Sequence, residues 1–394
     1  MYAPLEGIKI LDISRVLTGP FCTMLLGDLG AEVLKVEMPV KGDETRAWGP
    51  PFVAGESSYY LSINRNKRSI TLDLKSEKGK EILLKLASES DVIVENFLPG
   101  TVGRLGIDYE AVRRVNPEII YCSISGFGQD GPFKSVPAYD LMMQGLGGLM
   151  SITGEKNGAP VRVGVALIDI GAGMYAALGI MSALMVKKAT GKGQYVDISL
   201  LDTETSWLTY MATNYFATGK DPIRMGSAHP TIVPYQAYPA KDQYFVLAVG
   251  NDAIWQRFCT AVGLTLENDP KFITNTDRVQ NRESLNEILY KLFLEKNAQD
   301  WINLLQAARV PCGLVNTISQ VVNHPQTQHR QMVVEMGHLK AGRIKVLGNP
   351  IKLSRTPPQY RLHPPLLGQH TEEVLRELGY SDELITELRS KGVI

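Results

Sequence analysis

The chain has 394 residues, more than one compact core usually holds, and its length therefore favours two domains. Apolar residues make up 44% of the sequence and charged residues 21%, which is typical of soluble globular proteins and argues against a largely disordered chain. Because 41 basic residues balance 41 acidic ones, no global field would hold nucleic acid or an anionic membrane, and neither is an expected partner.

The cysteines and the first residues bear on the compartment. No CxxC pair occurs, so we expect reduced thiols at Cys22, Cys122, Cys259 and Cys312. The sequence opens on a strand pattern without the charged and apolar regions of a secretory leader, and we expect a cytoplasmic protein. The uncharged run 171–186 is shorter than the roughly 20 residues that span a bilayer. We interpret it as a buried helix.

Strand and helix patterns alternate in the first third of the chain. Strand patterns cover 8–13, 32–36, 69–74, 91–95 and 119–125, and helical patterns cover 19–29 and 78–90. This alternation predicts an α/β fold with a Rossmann-like parallel sheet that helices cover on both faces. The connection 42–69 is too long for an ordinary βα loop, and such segments are usually functional or form interfaces.

Later patterns indicate a second, smaller domain. Helical patterns lie at 140–148, 170–188 and 200–218, with a strand pattern at 194–199. The sequence GKDP at 219–222 ends this region, and a strand with three helical segments follows. Strand patterns return after residue 325. We therefore expect a smaller α+β domain at 223–325, and a discontinuous large domain at 1–222 and 326–394 if the C-terminal part rejoins the first.

Three common kinds of site lack their sequence motifs. A dinucleotide site needs a GxGxxG turn, but the turn after the first strand reads DISRVLTGP. Glu37, at the end of the second strand, is better explained as a solvated or ion-paired carboxylate than as a ribose-binding acid. The six histidines show no HExxH or paired-ligand spacing, so no metal site is expected. The GxSxG motif of hydrolases and the GxxxxGK(S/T) motif of P-loop proteins are also absent.

Asp169 stands in an unusual setting. It lies in VGVALIDIGAGMYAALG, directly ahead of an apolar helical pattern, and is the only charged residue between Arg162 and Lys187. Burial there would disfavour the ionised form, whereas hydrogen bonds from helix N-terminal amides would favour it. Two explanations stay open from the residues alone. Asp169 is either a helix N-cap, the commonest role of such an aspartate, or a functional carboxylate.

Seven segments carry a resemblance when they are taken in order: PLEGIKILDISRVLTGPFCTMLLGDLGAEVLKVE, NRNKRSITLDLKS, DVIVENFLPGTVGRLG, YCSISGFGQDGP, DIGAGMYA, ATGKGQYVDISLLD and PPLLGQHTEEVLRELGYSDELI. They resemble the class III CoA-transferases, the family of formyl-CoA transferase and carnitine CoA-transferase, over nearly the whole chain. The resemblance implies an interlocked homodimer, a catalytic nucleophile at Asp169, and acyl-CoA with a small carboxylic acid as substrates. It implies no prosthetic group.

The resemblance also assigns residues that bind coenzyme A: Leu17, Thr18, Leu72, Lys75, Asn96, Phe97, Leu98, Arg104, Ala138, Tyr139 and Asp140. Coenzyme A needs cations for its phosphates, and Lys75 and Arg104 have suitable charges, although a solvated surface position is the alternative for each. Met38 stands where several relatives have an arginine. We expect Arg15 or Arg46 to replace that contact.

The implied reaction is covalent. Asp169 attacks an acyl-CoA and releases the thiolate, and the mixed anhydride becomes an enzyme thioester that the acceptor acid opens. Gly226, Ser227 and His229 lie in GSAHP, which corresponds to the family's mobile loop and would exclude water. His229 either binds a substrate carboxylate or is a plain loop residue. The segment GSAHPTIVPYQAY looks most like relatives that use succinyl-CoA and short dicarboxylic acids such as glutarate.

Two other functions compete with a transferase. An α-methylacyl-CoA racemase needs a His–Asp pair to move a proton, but the position of that histidine is Tyr139, and a phenol is a poor proton carrier at neutral pH. Asp140, beside it, is expected to orient a group or to contact substrate rather than to attack. A non-catalytic CoA-binding protein would form no acyl adduct on Asp169.

Overall fold

The computed structural model of the chain describes residues 3–394. The described residues contain thirteen strands: β1 Lys9–Asp12, β2 Glu32–Glu37, β3 Phe52–Val53, β4 Glu56–Ser57, β5 Lys67–Thr71, β6 Val92–Glu95, β7 Ile120–Ser125, β8 Tyr195–Ser199, β9 Tyr235–Pro239, β10 Tyr244–Ala248, β11 Cys312–Leu314, β12 Val333–His338 and β13 Gly342–Leu347. Their α-helices are α1 Thr18–Asp28, α2 Ser58–Ile63, α3 Glu77–Ser88, α4 Thr101–Leu105, α5 Tyr109–Val115, α6 Asp140–Leu146, α7 Leu149–Ile152, α8 Leu167–Thr190, α9 Leu200–Trp207, α10 Thr209–Thr218, α11 Asp252–Val262, α12 Asn275–Gln280, α13 Arg282–Phe293, α14 Ala298–Ala307, α15 Ile318–Asn323, α16 Pro325–His329, α17 Thr371–Glu377 and α18 Asp382–Ser390.

Six strands form one sheet in the order β5-β2-β1-β6-β7-β8, and every neighbouring pair is parallel. The chain adds β2 and β5 on one side of β1, and later adds β6, β7 and β8 on the other side. This is the doubly wound order of Rossmann-like domains, so the predicted α/β fold is confirmed. In such sheets the loops after the two central strands diverge, and ligands bind in the crevice at their carboxyl ends.

The central strands bury residues on both faces. Leu11 and Ile93 belong to the apolar core under α3, α5, α17 and α18, whereas Ile10 and Val94 belong to the core under α1 and α8. Because both faces are covered, β6 and β7 are buried along their whole length, which explains their continuous apolar sequence. The C-terminal helices therefore complete one face of the sheet that the N-terminal strands form.

Helix α8 is buried on one side only. It buries small residues such as Ala172, but Met174, Leu178 and Met185 on its other side are 55%, 56% and 76% exposed. By length and apolar composition the helix could cross a membrane, yet its buried side packs against α1 and β7 as a core helix does. The prediction that 171–186 is a fully buried helix is wrong for the exposed side.

The long connection 42–69 is folded rather than an open loop. It contains a single turn of 3-10 helix at Glu44–Ala47, the hairpin β3–β4, and helix α2. Ser57 is the N-cap of α2, and its hydroxyl accepts hydrogen bonds from the amides of Tyr59 and Tyr60. The segment therefore presents its aromatic residues in a fixed arrangement.

The chain packs into two compact units. The first comprises the chain up to Leu149 with Arg162–Thr213 and Gln326–Ile394, and it contains the parallel sheet. The second comprises Met150–Val161 and Asn214–Pro325. It thus includes two stretches, 150–161 and 214–222, that the sequence analysis assigned to the large domain.

The second unit is a small α+β body. Its three-stranded antiparallel sheet has the order β11-β10-β9. Helices α11, α13 and α14 cover the sheet around a core of aromatic rings that includes Trp255, Phe258, Phe293 and Trp301. The predicted smaller α+β domain is confirmed as a fold.

Candidate active site

A cleft of about 230 Å³ lies at the carboxyl ends of β1, β6 and β7 in the first unit. The loops after these strands and the segment before α6 form its walls, and Asp169 contributes to its lining. The expected site residues among its lining are Leu17, Thr18, Asn96, Phe97, Leu98, Ala138, Tyr139 and Asp169. The fold therefore brings most of the predicted residues together at the point where the strand order reverses.

A second cleft of about 340 Å³ adjoins the first and shares Arg15, Glu44 and Phe97 with it. Leu72 and Lys75, both expected to bind coenzyme A, line this second cleft. Arg104 lies outside both linings, where its Nη2 donates to the Thr101 hydroxyl at 3.0 Å. The two clefts together form a continuous groove, which we call the strand-end groove.

The loop after β1 is held in an unusual backbone conformation. Val16 has a φ of +66°, which is rare for a β-branched residue, and its amide donates to the Asp43 carboxylate at 3.2 Å. Asn96 fixes the preceding residue, since its side chain accepts from the Arg15 amide at 2.8 Å and donates to the Arg15 carbonyl at 2.7 Å. Asn96 thus shapes the groove through the backbone of Arg15.

Asp169 is the third residue of α8 and does not cap the helix. The capping group is Asp140, whose Oδ1 accepts from the amides of Ile168 at 2.8 Å and Asp169 at 3.4 Å. Its Oδ2 accepts from Gln144 at 2.6 Å. The expectation that Asp169 lies ahead of the helix is corrected, and the N-cap explanation applies to Asp140 instead. This agrees with the orienting role expected of Asp140.

One hydroxyl group contacts the Asp169 side chain. Thr18 Oγ1 donates to Asp169 Oδ1 at 2.5 Å, and no Lys, Arg or His within residues 3–394 forms an ion pair with this carboxylate. Burial raises the pKa of Asp169 to about 6, and the charge of Asp140 adds to this increase while the Thr18 hydrogen bond opposes it. The carboxylate is therefore more basic than an ordinary aspartate.

Glycines in α8 bring its neighbours close to Asp169. A Cβ on Gly173 would lie 2.7 Å from the Thr18 carbonyl oxygen, and a Cβ on Gly171 would lie 1.9 Å from the Trp207 ring. Because Gly173 is one helical turn after Asp169, the close approach at Gly173 places the Thr18 hydroxyl beside the carboxylate. The sequence DIGAG therefore has a packing explanation.

Two aromatic residues near the nucleophile position were not identified from the sequence. Burial and the charges of Asp169, Asp140 and Asp43 raise the pKa of Tyr59 to about 12. The Tyr59 ring packs edge-on against Trp48, with 5.1 Å between the ring centroids. Both residues belong to the connection 42–69, whose length was the only signal in the sequence.

The two arginines expected to replace a contact at Met38 differ in their freedom. Arg46 donates two hydrogen bonds of 2.7 Å to Glu37 and stacks over Tyr60 at 3.7 Å, so its guanidinium is already engaged. Arg15 is about half exposed in the groove, pairs with Glu44 at 2.8 Å and lies 4.9 Å from the Phe97 ring centroid. Arg15 is therefore the arginine that faces the groove.

The predicted loop residues belong to the second unit. Gly226 has a φ of +63°, and its amide donates to the Gly154 carbonyl at 2.9 Å. Ser227 Oγ accepts from the Ala237 amide at 2.9 Å. Arg282 donates to the His229 carbonyl at 2.8 Å, and burial together with the charge of Arg282 lowers the pKa of His229. The loop backbone is thus tied within its own unit.

Residues 3–394 contain no group of three or more His, Cys, Asp or Glu side chains that could hold a metal ion. The basic and acidic groups around β1 instead form internal ion pairs, such as Lys67 with Asp12 at 3.0 Å and Lys35 with Asp43 at 3.0 Å. The chemistry that the groove offers is therefore that of a carboxylate, hydroxyls and backbone amides.

Comparisons with known proteins agree on one family. Residues 5–371 match the family described as CoA-transferase family III. The chain is 47% identical over 393 residues to succinyl-CoA:glutarate CoA-transferase from Homo sapiens, which covers 99% of this chain and 90% of the human protein. It is 41% identical over 382 residues to succinate–glutarate CoA-transferase from Agrobacterium fabrum, covering 95% of this chain and 96% of that protein.

A solved structure gives the same result. The chain superimposes on a CAIB/BAIF family protein from Brucella suis with a TM-score of 0.86 and 40% identity, covering 96% of this chain and 100% of the other. The family resemblance predicted from the sequence is confirmed, and the chain belongs to CoA-transferase family III.

Proposed function

We propose that this enzyme transfers coenzyme A from succinyl-CoA, or another short dicarboxylyl-CoA, to a dicarboxylic acid, with Asp169 as the nucleophile. Relatives from three organisms have names that specify succinyl-CoA or succinate together with glutarate or mesaconate. The observation that carries the proposal is the Asp169 carboxylate in the strand-end groove, which is buried, basic and free of a cationic partner. A carboxylate without a counter-ion keeps its electron pair available for attack.

In the proposed reaction, Asp169 Oδ2 attacks the thioester carbon, and the C–S bond breaks with its electron pair on sulfur. The products are a mixed anhydride and CoA thiolate. The thiolate then attacks the Asp169 carbonyl carbon and expels the donor acid as a carboxylate. The acceptor carboxylate reverses these two steps and leaves as its CoA thioester. Each exchange joins groups of similar reactivity, so no step requires an external energy source.

The strand-end groove suits an extended CoA thioester. We place the pantetheine arm in the cleft that contains Asp169, and the adenosine end in the adjoining cleft beside Leu72 and Lys75. Arg15 lies where the two clefts meet, at a position suited to the diphosphate. Coenzyme A is a substrate in this scheme, and no prosthetic group takes part.

Two further parts of the proposal come from the family resemblance. Residues 226–230 would exclude water, since water would hydrolyse both the anhydride and the enzyme thioester. The enzyme would be a homodimer, and the exposed apolar side of α8, with Met174, Leu178 and Met185, would be covered in that dimer.

A panel of donors and acceptors tests the proposal. Succinyl-CoA with labelled dicarboxylates should give labelled acyl-CoA, and Asp169→Asn should give none. A racemase would instead exchange the α-proton of a 2-methylacyl-CoA with solvent without an acceptor acid. Proton exchange without CoA transfer would overturn the proposal, as would transfer at the full rate by Asp169→Asn. A CoA-binding protein without activity would bind acyl-CoA but exchange neither group.

A further inference from the structure

The two oxygens of the Asp169 carboxylate have different surroundings. Oδ1 accepts the 2.5 Å hydrogen bond from Thr18, whereas Oδ2 accepts none from residues 3–394. Thr18 is the first residue of α1, and its own backbone carbonyl packs against Gly173 of α8. The hydroxyl is therefore held in place by two packed helices, and it needs no rearrangement to serve as a donor.

We propose that Thr18 is a catalytic residue that donates its hydrogen bond to the oxyanion formed on Asp169 Oδ1. This inference rests on the proposed function, because it concerns the steps in which Asp169 is itself attacked. In the anhydride, Oδ2 bridges to the donor acyl group and Oδ1 is the carbonyl oxygen. The CoA sulfur forms a bond to Cγ, and the π electrons of the carbonyl move to Oδ1.

The tetrahedral centre then collapses in the forward direction. The electron pair on Oδ1 reforms the carbonyl, the Cγ–Oδ2 bond breaks, and the donor acid leaves with that pair as a carboxylate. When the acceptor carboxylate opens the enzyme thioester, the negative charge develops on Oδ1 again, and CoA thiolate leaves. Thr18 can therefore stabilise both transition states at Cγ, where the charge on Oδ1 is largest.

The first attack, by Oδ2 on the donor thioester, has the opposite demand. Charge leaves the Asp169 carboxylate in that step, so a hydrogen bond to Oδ1 slows it slightly rather than accelerating it. The account thus predicts that loss of the hydroxyl harms the second and third steps selectively. A hydroxyl that only fixed the side chain of Asp169 would affect all steps alike.

The test compares Thr18→Val, which keeps the shape but removes the hydroxyl, with Thr18→Ser, which keeps the hydroxyl. We expect Thr18→Val to lower kcat about 100-fold with KM for both substrates nearly unchanged, as for the loss of one oxyanion donor. Thr18→Ser should remain within about threefold of the wild type. Thermal unfolding of both variants checks that they fold.

A single-turnover reaction with succinyl-CoA and no acceptor supplies the second readout. Rapid quenching and mass analysis of the Asp169 peptide should find mainly the CoA thioester in the wild type, but mainly the succinyl anhydride with free CoA in Thr18→Val. Wild-type kcat in Thr18→Val, or equal loss in Thr18→Ser, would overturn the inference. Equal slowing of every step would also overturn it. Failure of the wild type to transfer CoA would refute the proposed function instead.

Discussion

Two buried aspartates at the carboxyl end of the same sheet have opposite surroundings. Asp12, at the end of β1, accepts hydrogen bonds from Thr23 at 2.6 Å and Lys67 at 3.0 Å and also from Ser14. Burial raises its pKa, but Lys67 and Lys35 more than offset this, and the pKa falls to about 2. Asp169 has one hydroxyl donor and an acidic neighbour, and its pKa is about 6.

The difference separates a structural carboxylate from a reactive one. The cations around Asp12 hold its charge in place and help to shape the loop that ends at Thr18. Without a cation, Asp169 keeps a basic electron pair in the groove. The network around Asp12 thus builds the scaffold for Asp169, and substitutions at the two positions should have opposite effects on activity and stability.

The largest effect is expected for Asp169→Asn. Loss of the nucleophile should lower kcat by at least about 10⁴-fold, whereas the folded structure should remain. The pKa of Asp169 rises from 3.8 to about 6 on folding, so between these values the folded protein retains a proton that the unfolded chain has lost. Stability therefore falls as pH rises across this window.

The same variant should consequently be more stable than the wild type at pH 7.5, by about 2 kcal/mol. The gain should vanish below about pH 4, where both states of the wild type carry the proton. Urea unfolding at the two pH values measures this. A variant that is less stable than the wild type at pH 7.5 would contradict the comparison of the two aspartates.

Asp12→Asn should have the reverse result for stability. It leaves Lys67 and Lys35 buried without their shared partner, and we expect the free energy of unfolding to fall by about 3–5 kcal/mol at pH 7. Because the pKa of Asp12 is lowered on folding, its contribution is present above its unfolded value and is lost as pH falls through about 2. Urea unfolding against Asp169→Asn is the matched measurement, and a fall below about 1 kcal/mol would break the comparison.

Removal of the acidic neighbour should lower the pH range in which the enzyme works. Since Asp169 must be ionised to attack, kcat should fall about tenfold per pH unit below about pH 6. Asparagine is also a favoured capping residue, so Asp140→Asn should keep the helix cap while it removes the charge that raises the pKa of Asp169. The acidic limb of the pH–rate profile should shift to lower pH, and a limb that stays or rises would contradict this assignment.

A smaller effect is expected at the phosphate end of the groove. Arg15→Gln should raise KM for succinyl-CoA about tenfold and leave KM for succinyl-pantetheine unchanged, because only the former has phosphates. Glu44→Gln, which frees Arg15 from its partner, is the matched control and should lower KM for succinyl-CoA or leave it unchanged. Equal losses on both donors in Arg15→Gln would place Arg15 elsewhere.

Much of the sheet could be predicted from local sequence. Its strands are short apolar runs between helical patterns, and β2, β6 and β7 begin or end within a residue or so of their predicted positions. Helix α8 begins earlier than predicted because Asp140, 29 residues before Asp169, supplies the cap. A pattern in one segment cannot reveal a capping group that comes from another segment.

The same reason limited prediction of the site. Family resemblance supplied Asp169 and most of the groove lining, but Thr18 was expected only to bind coenzyme A. Its contact with Asp169 crosses 151 positions of sequence and depends on the close approach at Gly173. Tyr59 and Trp48 were missed because their segment has no regular period, and only its length marked it.

Trapping of the covalent intermediate tests the central claim most directly. The wild-type enzyme is mixed with succinyl-CoA without an acceptor, quenched, treated with hydroxylamine and digested for mass spectrometry. The account predicts a hydroxamate on the peptide that contains Asp169, and none on that peptide in Asp169→Asn. Full CoA transfer by the wild type with no modification of Asp169, or with the hydroxamate on another residue, would contradict the account.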